Sequence, residues 1–440
     1  MILFSGLTMR VDIINLGCSK NLVDSEKLLS QLRSQGIKTR LDPTRVNADV
    51  LVINTCGFIL DAKEESVNTI LEAIEAKKNG QINKIYAMGC LIQRYRHELE
   101  PEIPEVDAWF GVEQIPEIVA SLNLAFNPEI LNHRITSTPS HYAYLKVSEG
   151  CNRKCSFCAI PDIRGNHVSR KMEDILEEAN YLAKQGVKEI LLIAQDLSYY
   201  GRDLYHESML VPLVRNLADI KGIEWIRLHY AYPANFPAGL LDLMQTNEKV
   251  CNYLDIPFQH ISDNMLKKMN RGYGKEDTYR LIRDIRKKIP DAAIRTTFLV
   301  GHPGETDDDF NELLEFVKEA RFERLGVFTY SPEEGTKSGD LMADDVPEEL
   351  KQERYSSLME LQQQISSEMN QAKVGQEFQV LIDRTDGEFY VGRSRYDSPE
   401  VDNEILIPLT SGVTKSGEFH QVRITKADDY DLYGDLILKD

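Results

Sequence analysis

The sequence predicts an α/β protein in three parts: an N-terminal doubly wound parallel sheet, a central partial (β/α)6 barrel and a small all-β barrel at the C-terminus. Three observations carry this. Apolar strand-length runs alternate with amphipathic helices over residues 1–126. After an irregular stretch the alternation resumes for six units between 142 and about 335. From 376 onward the pattern changes to short period-two runs broken by TDG, SPE and SGE turns.

In the first part, VDIINLGC (11–18) reads as a strand and NLVDSEKLLSQLRSQG (21–36) as a helix ending at glycine. ADVLVINTC (48–56) precedes the helix 62–80, and KIYAMGC (84–90) precedes the helix 93–103. AWFG and a helix from Pro116 complete the unit. Residues 127–141 (NPEILNHRITSTPSH) lack periodicity and read as a linker. The next strands are YAYLKVSEG, VKEILLIAQD, IEWIRLHYAY, NYLDIPFQ, AIRTTFLVG and RLGVFTYS. Six βα units are too few for an eight-stranded barrel, so a partial barrel is expected, with its site at the strand carboxyl ends. A long polar helix (346–375) reads as a connector. The expected domains are 1–126, a linker 127–141, 142–370 including that connector, and 371–440.

A net charge of −19 over 440 residues disfavours nucleic acid as the main partner, because phosphate binding needs excess Lys and Arg. No stretch approaches the ~18 apolar residues of a membrane span. The opening MILFSGLTMR lacks the features of a signal peptide, and Met9 is an alternative start; a cytoplasmic location is expected. In that compartment seven cysteines read as ligands or core residues rather than disulfides.

Three of them, Cys151, Cys155 and Cys158, fall within SEGCNRKCSFCAIPDIRG (148–165). A disulfide framework favours an even number of cysteines, and structural zinc favours four close ligands. A [4Fe–4S] cluster normally takes four thiolates, so three leave one iron open for chemistry. The set fits such a cluster better than either alternative. Cys18, Cys56 and Cys90 are separated by 38 and 34 residues, yet each ends an apolar strand of the first sheet. Parallel strands present their carboxyl ends to one crevice, so these thiols are expected to converge on a second three-thiolate cluster rather than being three independent burials. Cys251 has no partner motif and reads as core.

C-x-x-x-C-x-aromatic-C after the first strand of a βα barrel resembles the radical S-adenosylmethionine (SAM) signature, carried here by Cys151, Cys155, Phe157 and Cys158. The resemblance implies SAM chelated to the open iron, with Phe157 near its adenine. With three scattered cysteines ahead of the barrel and a small β-barrel after it, the whole chain resembles the methylthiotransferase family, whose C-terminal module is the TRAM domain. That family holds two [4Fe–4S] clusters: one with SAM generates an adenosyl radical, and the other carries the methylated sulfur that is transferred.

Within the family, LGCSKNLVDSE (16–26), NTCGFILDAKEES (54–66), IPFQHISDNMLKKMNR (256–271) and RSRYDSPEVDNEI (393–405) resemble the RimO branch. That branch modifies the β-carbon of an aspartate in the twelfth protein of the small ribosomal subunit. The other branch modifies transfer-RNA adenosine and is the runner-up. Residues 376–440 carry seven basic against fourteen acidic residues, a net of −7. That balance suits a basic ribosomal protein better than RNA, although solubility alone also accounts for it. An electron donor such as flavodoxin or ferredoxin is implied. A non-catalytic iron–sulfur carrier is the reading from a different class, and it has no need of a six-unit barrel. Gln195 and Asp196 end the second barrel strand, where the superfamily contacts the methionine part of SAM; capping of the strand end is the competing role. His260 reads as a buried, hydrogen-bonded histidine.

Overall fold

The structure is a computed structural model and describes residues 9–437; expectations for the first eight residues lie outside it. The chain forms two compact units. One comprises the residues up to Thr138 with Tyr144–Asn152 and Ala159–Leu182. The other comprises Pro139–Ala143, Arg153–Cys158 and the chain from Ala183 onward.

The first unit contains β1 (Arg10–Asn15), α1 (Ser19–Ser34), β2 (Lys38–Leu41), β3 (Ala48–Thr55), α2 (Leu60–Lys78), β4 (Ile82–Gly89), α3 (Cys90–Glu102), β5 (Ala108–Phe110) and α4 (Ile115–Ser121). The strands are all parallel in the order β2-β1-β3-β4-β5. Successive residues of β3 face opposite sides. Val50 and Val52 join Leu28, Leu32, Ile118 and Val119 on one face, while Leu51 and Ile53 join Ile70, Ile74, Leu91 and Ile92 on the other. Two apolar faces require helices on both sides, which is the doubly wound arrangement.

β2 was not expected from the sequence. Its residues, Lys-Thr-Arg-Leu, lack an apolar run because an edge strand buries little. It is fastened instead by Arg40, which donates Nε to Asp12 Oδ1 at 2.8 Å and Nη2 to Asp12 Oδ2 at 2.5 Å. The helices α1, α2 and α3 each begin two or three residues earlier than the periodicity indicated, directly after the strand-ending loops.

The segment 127–138 is irregular apart from one 3₁₀ turn, but it is anchored at Arg134. Arg134 is 1% exposed; its Nε donates to Glu178 Oε1 at 2.6 Å, and it also bonds the Glu26 carboxylate and the Tyr144 carbonyl. Arg170 occupies the second oxygen of Glu178 at 2.7 Å.

The strand β6 (Tyr142–Lys146) begins in the second unit. The short strands β7 (Ser148–Glu149) and β8 (Val168–Ser169) pair antiparallel within the first. The remaining barrel strands are β9 (Glu189–Ile193), β10 (Trp225–Leu228), β11 (Val250–Asp255), β12 (Ala293–Val300) and β13 (Arg324–Thr329). The six-stranded sheet runs β13-β12-β11-β10-β9-β6 without closing, as six βα units lead one to expect. The helix Glu348–Gln371 packs beside β13. Cys251, in β11, is fully buried against Trp225, Tyr253 and Leu381.

The C-terminal strands β14 (Glu377–Asp386), β15 (Phe389–Ser394), β16 (Ile405–Pro408), β17 (Phe419–Ala427) and β18 (Leu432–Leu436) close into a barrel. Alternate residues, among them Val380, Ile382, Ile405, Ile407, Val422 and Ile424, fill its interior. A buried ionic seam joins it to β9 and β10. Glu189 takes Arg227 at 2.8 Å and Arg393 at 2.5 Å, and Arg393 also meets Asp383 at 2.7 Å. Arg324 pairs with Asp397. The run RSRYDSPEVDNEI thus supplies Arg393 and Asp397 to an internal joint. Among the described residues no helix is long and apolar enough to cross a membrane.

Removing Arg134 strands two buried carboxylates. Arg134→Met is expected to cost ~3–5 kcal/mol in denaturant unfolding; a loss below about 1 kcal/mol contradicts the anchoring role. Burial pushes Glu178 and Glu189 up, but the arginines outweigh it. Arg170 and Arg134 bring Glu178 to about 2, and Arg393 and Arg227 bring Glu189 to about 2. Unfolded glutamates titrate near ~4.3, so this stabilisation is complete above that value and is lost as pH falls towards 2. The metal-free protein should lose thermal stability steeply across that window. A Glu178→Gln, Glu189→Gln double variant should show a flatter acid limb; an unchanged limb contradicts the assignment.

Candidate functional site

In the first unit the three scattered cysteines follow three adjacent strands. The strands stop slightly earlier than the sequence indicated. β1 ends at Asn15, Gly17 turns in the left-handed region (φ 87°), and Cys18 lies at the N-terminus of α1. Cys56 follows the last residue of β3. Cys90 opens α3 after Gly89 (φ 100°). A side chain at Gly17 would put a Cβ 2.8 Å from Cys56 Cβ and 3.1 Å from its Sγ. One at Gly57 would lie 2.7 Å from Leu91 Cα and 3.0 Å from the Cys90 carbonyl carbon. Gly17 therefore lets its backbone approach the Cys56 side chain, and Gly57 lets its segment meet the Cys90–Leu91 backbone directly.

Polar side chains hold these strand ends in register. Asn21 donates Nδ2 to the carbonyls of Leu16 and Thr55, each at 3.0 Å, so one amide ties the ends of β1 and β3. Thr55 Oγ1 donates to the Met88 carbonyl at 2.7 Å, tying β3 to β4. Ser66 Oγ accepts from the Cys56 N–H and donates to the Cys56 carbonyl, both at 3.0 Å.

Arg164, 7% exposed, stands at the centre of this group. Its Nη2 donates to Asn21 Oδ1 at 2.5 Å and lies 3.3 Å from Cys90 Sγ. Its Nη1 meets Glu149 at 2.9 Å and Asp24 at 3.3 Å, and Lys146 bonds the same two carboxylates. The thiols respond according to their surroundings. Cys18 is exposed, yet the protein packed around it acts upward on the thiol; Lys20, Arg164 and the N–H groups at the start of α1 outweigh that and bring it below its usual value. Burial raises Cys56, with Cys18 adding to the rise and Arg164 opposing it. Burial raises Cys90 to about 11 against the pull of Arg164. Each of the three thiols feels the charge of Arg164, and Cys90 feels both others.

Of the clustered cysteines, Cys151 belongs to the first unit, where its N–H bonds the Gly165 carbonyl at 3.1 Å. Cys155 and Cys158 belong to the second, joined by a Cys158 N–H to Cys155 carbonyl bond of 3.2 Å. Arg271 donates Nη1 to Cys155 Sγ at 3.1 Å. Ser156 pins the loop from both sides. Its N–H bonds the Met269 carbonyl at 3.0 Å, and its carbonyl accepts from Ser338 at 2.7 Å. Phe157 is half-buried on Met265, Met269, Leu299 and Tyr330, with His302 edge-on at 6.4 Å.

Asp196 is buried just past β9 and receives Arg153 Nε at 2.7 Å and the Ser198 hydroxyl. Arg153 lies 3.9 Å from the centre of the Tyr232 ring, and Arg271 lies 4.4 Å from the same ring. A continuous chain of contacts therefore runs Asp196–Arg153–Tyr232–Arg271–Cys155. Gln195 is partly exposed beside it. His260 is fully buried, accepting the Ser262 N–H at 3.1 Å. Arg164 and Arg271 were not singled out from sequence, although DIRG follows the third clustered cysteine and Arg271 ends the run IPFQHISDNMLKKMNR.

All seven cysteines are free thiols. Among the described residues no three Cys, His, Asp or Glu side chains surround a point as donors to a single ion. A four-iron cube asks for something different, with its thiolates at separate corners rather than around one centre. Soft thiolate donors beside buried cations suit such a cube.

Family models match three segments: "Uncharacterized protein family UPF0004" over residues 10–111, "Radical SAM superfamily" over 145–317 and "TRAM domain" over 374–437. Curated relatives named ribosomal protein uS12 methylthiotransferase RimO match nearly end to end. The Bacteroides thetaiotaomicron protein is 53% identical, covering 98% of this chain and 99% of its own. The Porphyromonas gingivalis protein is 54% identical with 97% and 99% covered, and that of Cytophaga hutchinsonii 50% with 97% and 98%. Among solved structures, the radical SAM methyltransferase TsrM from Kitasatospora setae superposes with a TM-score of 0.54 at 14% identity, covering 76% of this chain and 74% of that one. The cobalamin-dependent radical SAM enzyme OxsB gives 0.52 at 13%, covering 80% and 56%. These two share the fold. The full-length identity goes further: the chain belongs to the RimO family of ribosomal protein uS12 methylthiotransferases.

Proposed function

We propose that this chain transfers a methylthio group to the β-carbon of an aspartate in ribosomal protein uS12, using SAM and two [4Fe–4S] clusters. The observation that carries the reading is the near-complete match to RimO relatives at 50–54% identity. We assign Cys18, Cys56 and Cys90 to one cluster and Cys151, Cys155 and Cys158 to the other. The thiols gathered around Arg164 support the first assignment. When bound, these groups supply an electron for cleaving SAM and a sulfur for insertion.

The chain's own residues position and balance charge. The Ser156 contacts keep the cysteine loop from collapsing, so its thiolates stay presented in one geometry. Phe157, backed by methionines and His302, offers a part-exposed ring for the SAM adenine. Gln195 and Asp196 are assigned to the methionine part of SAM, with Asp196 acting through Arg153, which it fixes. A radical at carbon has to be held near its acceptor and away from water, so such rigidity matters more here than acid–base work. The acidic C-terminal barrel favours the basic protein over transfer RNA by electrostatic complementarity. A ribosomal substrate implies a cytoplasmic enzyme, and flavodoxin or ferredoxin is the class of reductant that fits.

Anaerobic reconstitution should load about eight irons per chain. A Cys151→Ala, Cys155→Ala, Cys158→Ala variant should keep about half of them and lose SAM cleavage; loss of all iron contradicts two separate sites. Incubated with uS12 and with transfer RNA, the enzyme should add the mass of one S–CH2 unit to a uS12 aspartate. Gain on transfer RNA alone would sink the assignment.

A further inference from the structure

A buried arginine contacts a sulfur in each cysteine set, Arg164 on Cys90 and Arg271 on Cys155, but the two arginines differ in what else surrounds them. Arg164 shares its charge with Glu149 and Asp24. Arg271 has no carboxylate within ion-pair distance among the described residues. Its Nη1 is on Cys155 Sγ at 3.1 Å, its Nη2 on the Pro257 carbonyl at 2.6 Å and its Nε on the Tyr273 hydroxyl at 3.2 Å. It is 4% exposed and lies 4.4 Å from the Tyr232 ring and 5.5 Å from the Tyr273 ring. Arg153, the other cation on Tyr232, is neutralised by Asp196. A full positive charge is thus locked against one thiol of the barrel set, out of water.

We infer that Arg271 is a positioning residue for the reaction: its uncompensated guanidinium, hydrogen-bonded to the Cys155 sulfur, raises the reduction potential of the cluster that Cys155 holds. This rests on the ligand assignment above. Uptake of one electron from the external reductant adds one negative charge to the cluster. A cation a hydrogen bond away stabilises that charge, and burial keeps the attraction strong. Hydrogen bonds to the sulfurs, net charge and solvent exposure are the protein's means of setting such potentials. The cluster that has to be reduced for each SAM cleavage is the one given the unshared cation.

The test uses the full-length chain with Cys18, Cys56 and Cys90 changed to Ala, so that only the barrel cluster remains. Iron is counted, and the midpoint is read by redox titration followed by electron paramagnetic resonance. Arg271→Gln should bind as much iron as the parent and disfavour one-electron reduction at least tenfold, a midpoint lower by about 59 mV. Arg271→Lys, which keeps the charge but not the fork, should shift less in the same direction. Arg164→Gln should leave this midpoint in place. An Arg271→Gln midpoint equal to the parent's, with full iron, overturns the inference. If Arg271→Gln takes up no iron, Arg271→Lys decides: a lower midpoint supports the inference and an unchanged one overturns it. A parent that binds no iron refutes the ligand assignment, and the inference with it, whereas a shift failure in an iron-loaded parent refutes the inference alone.

Discussion

Parallel strands point their carboxyl ends to one edge of a sheet, and the N-terminal site depends on that constraint. In the order β2-β1-β3-β4-β5 the chain reverses its winding between β1 and β3, which opens a crevice outside their ends. Cys18 and Cys56 follow those two strands and Cys90 follows the next. Sequence separations of 38 and 34 residues thereby collapse to one neighbourhood. The glycines at 17 and 57 remove the side chains that would hold the segments apart, and Asn21 ties two strand ends with a single amide.

Thiolates held close together repel one another, and the fold places buried cations beside two of them, Cys90 and Cys155. Arg164 stands among the three N-terminal thiols, and Arg271 reaches the sulfur of Cys155. Such cations need seats of their own. Arg164 is fixed by Asn21, Glu149 and Asp24; Arg271 is fixed by two tyrosines and a carbonyl. Similar pairing recurs away from the sites, at Arg134 with Glu26 and Glu178 and at Glu189 with Arg227 and Arg393. Breaking one partner of such pairs is costlier than the pair itself is stabilising.

Features with a local signature were legible in the sequence. The six barrel strands announce themselves as apolar runs, the closed C-terminal barrel as period-two alternation, and the cysteine loop by its spacing. The placement of Cys18, Cys56 and Cys90 just past three strand ends of one sheet was legible too, because each closes an apolar run. β2 was not, since an edge strand of Lys-Thr-Arg-Leu carries no apolar run. Arg134, Arg164 and Arg271 were not either. A buried arginine is defined by carboxylates, rings and sulfurs distant in sequence, and no local period marks it. Asp196 was read as a cofactor contact or a strand cap, and its bond to Arg153 emerged only in three dimensions.

In the proposed assignment Cys151, Cys155 and Cys158 hold a four-iron cluster and leave one iron for SAM. Mössbauer spectroscopy of the chain fully loaded with iron-57, before and after adding SAM, tests it most directly. One iron of about eight should change its signature on SAM binding while the rest keep theirs. Spectra that do not change, or that change equally at all four irons of a cluster, would contradict it.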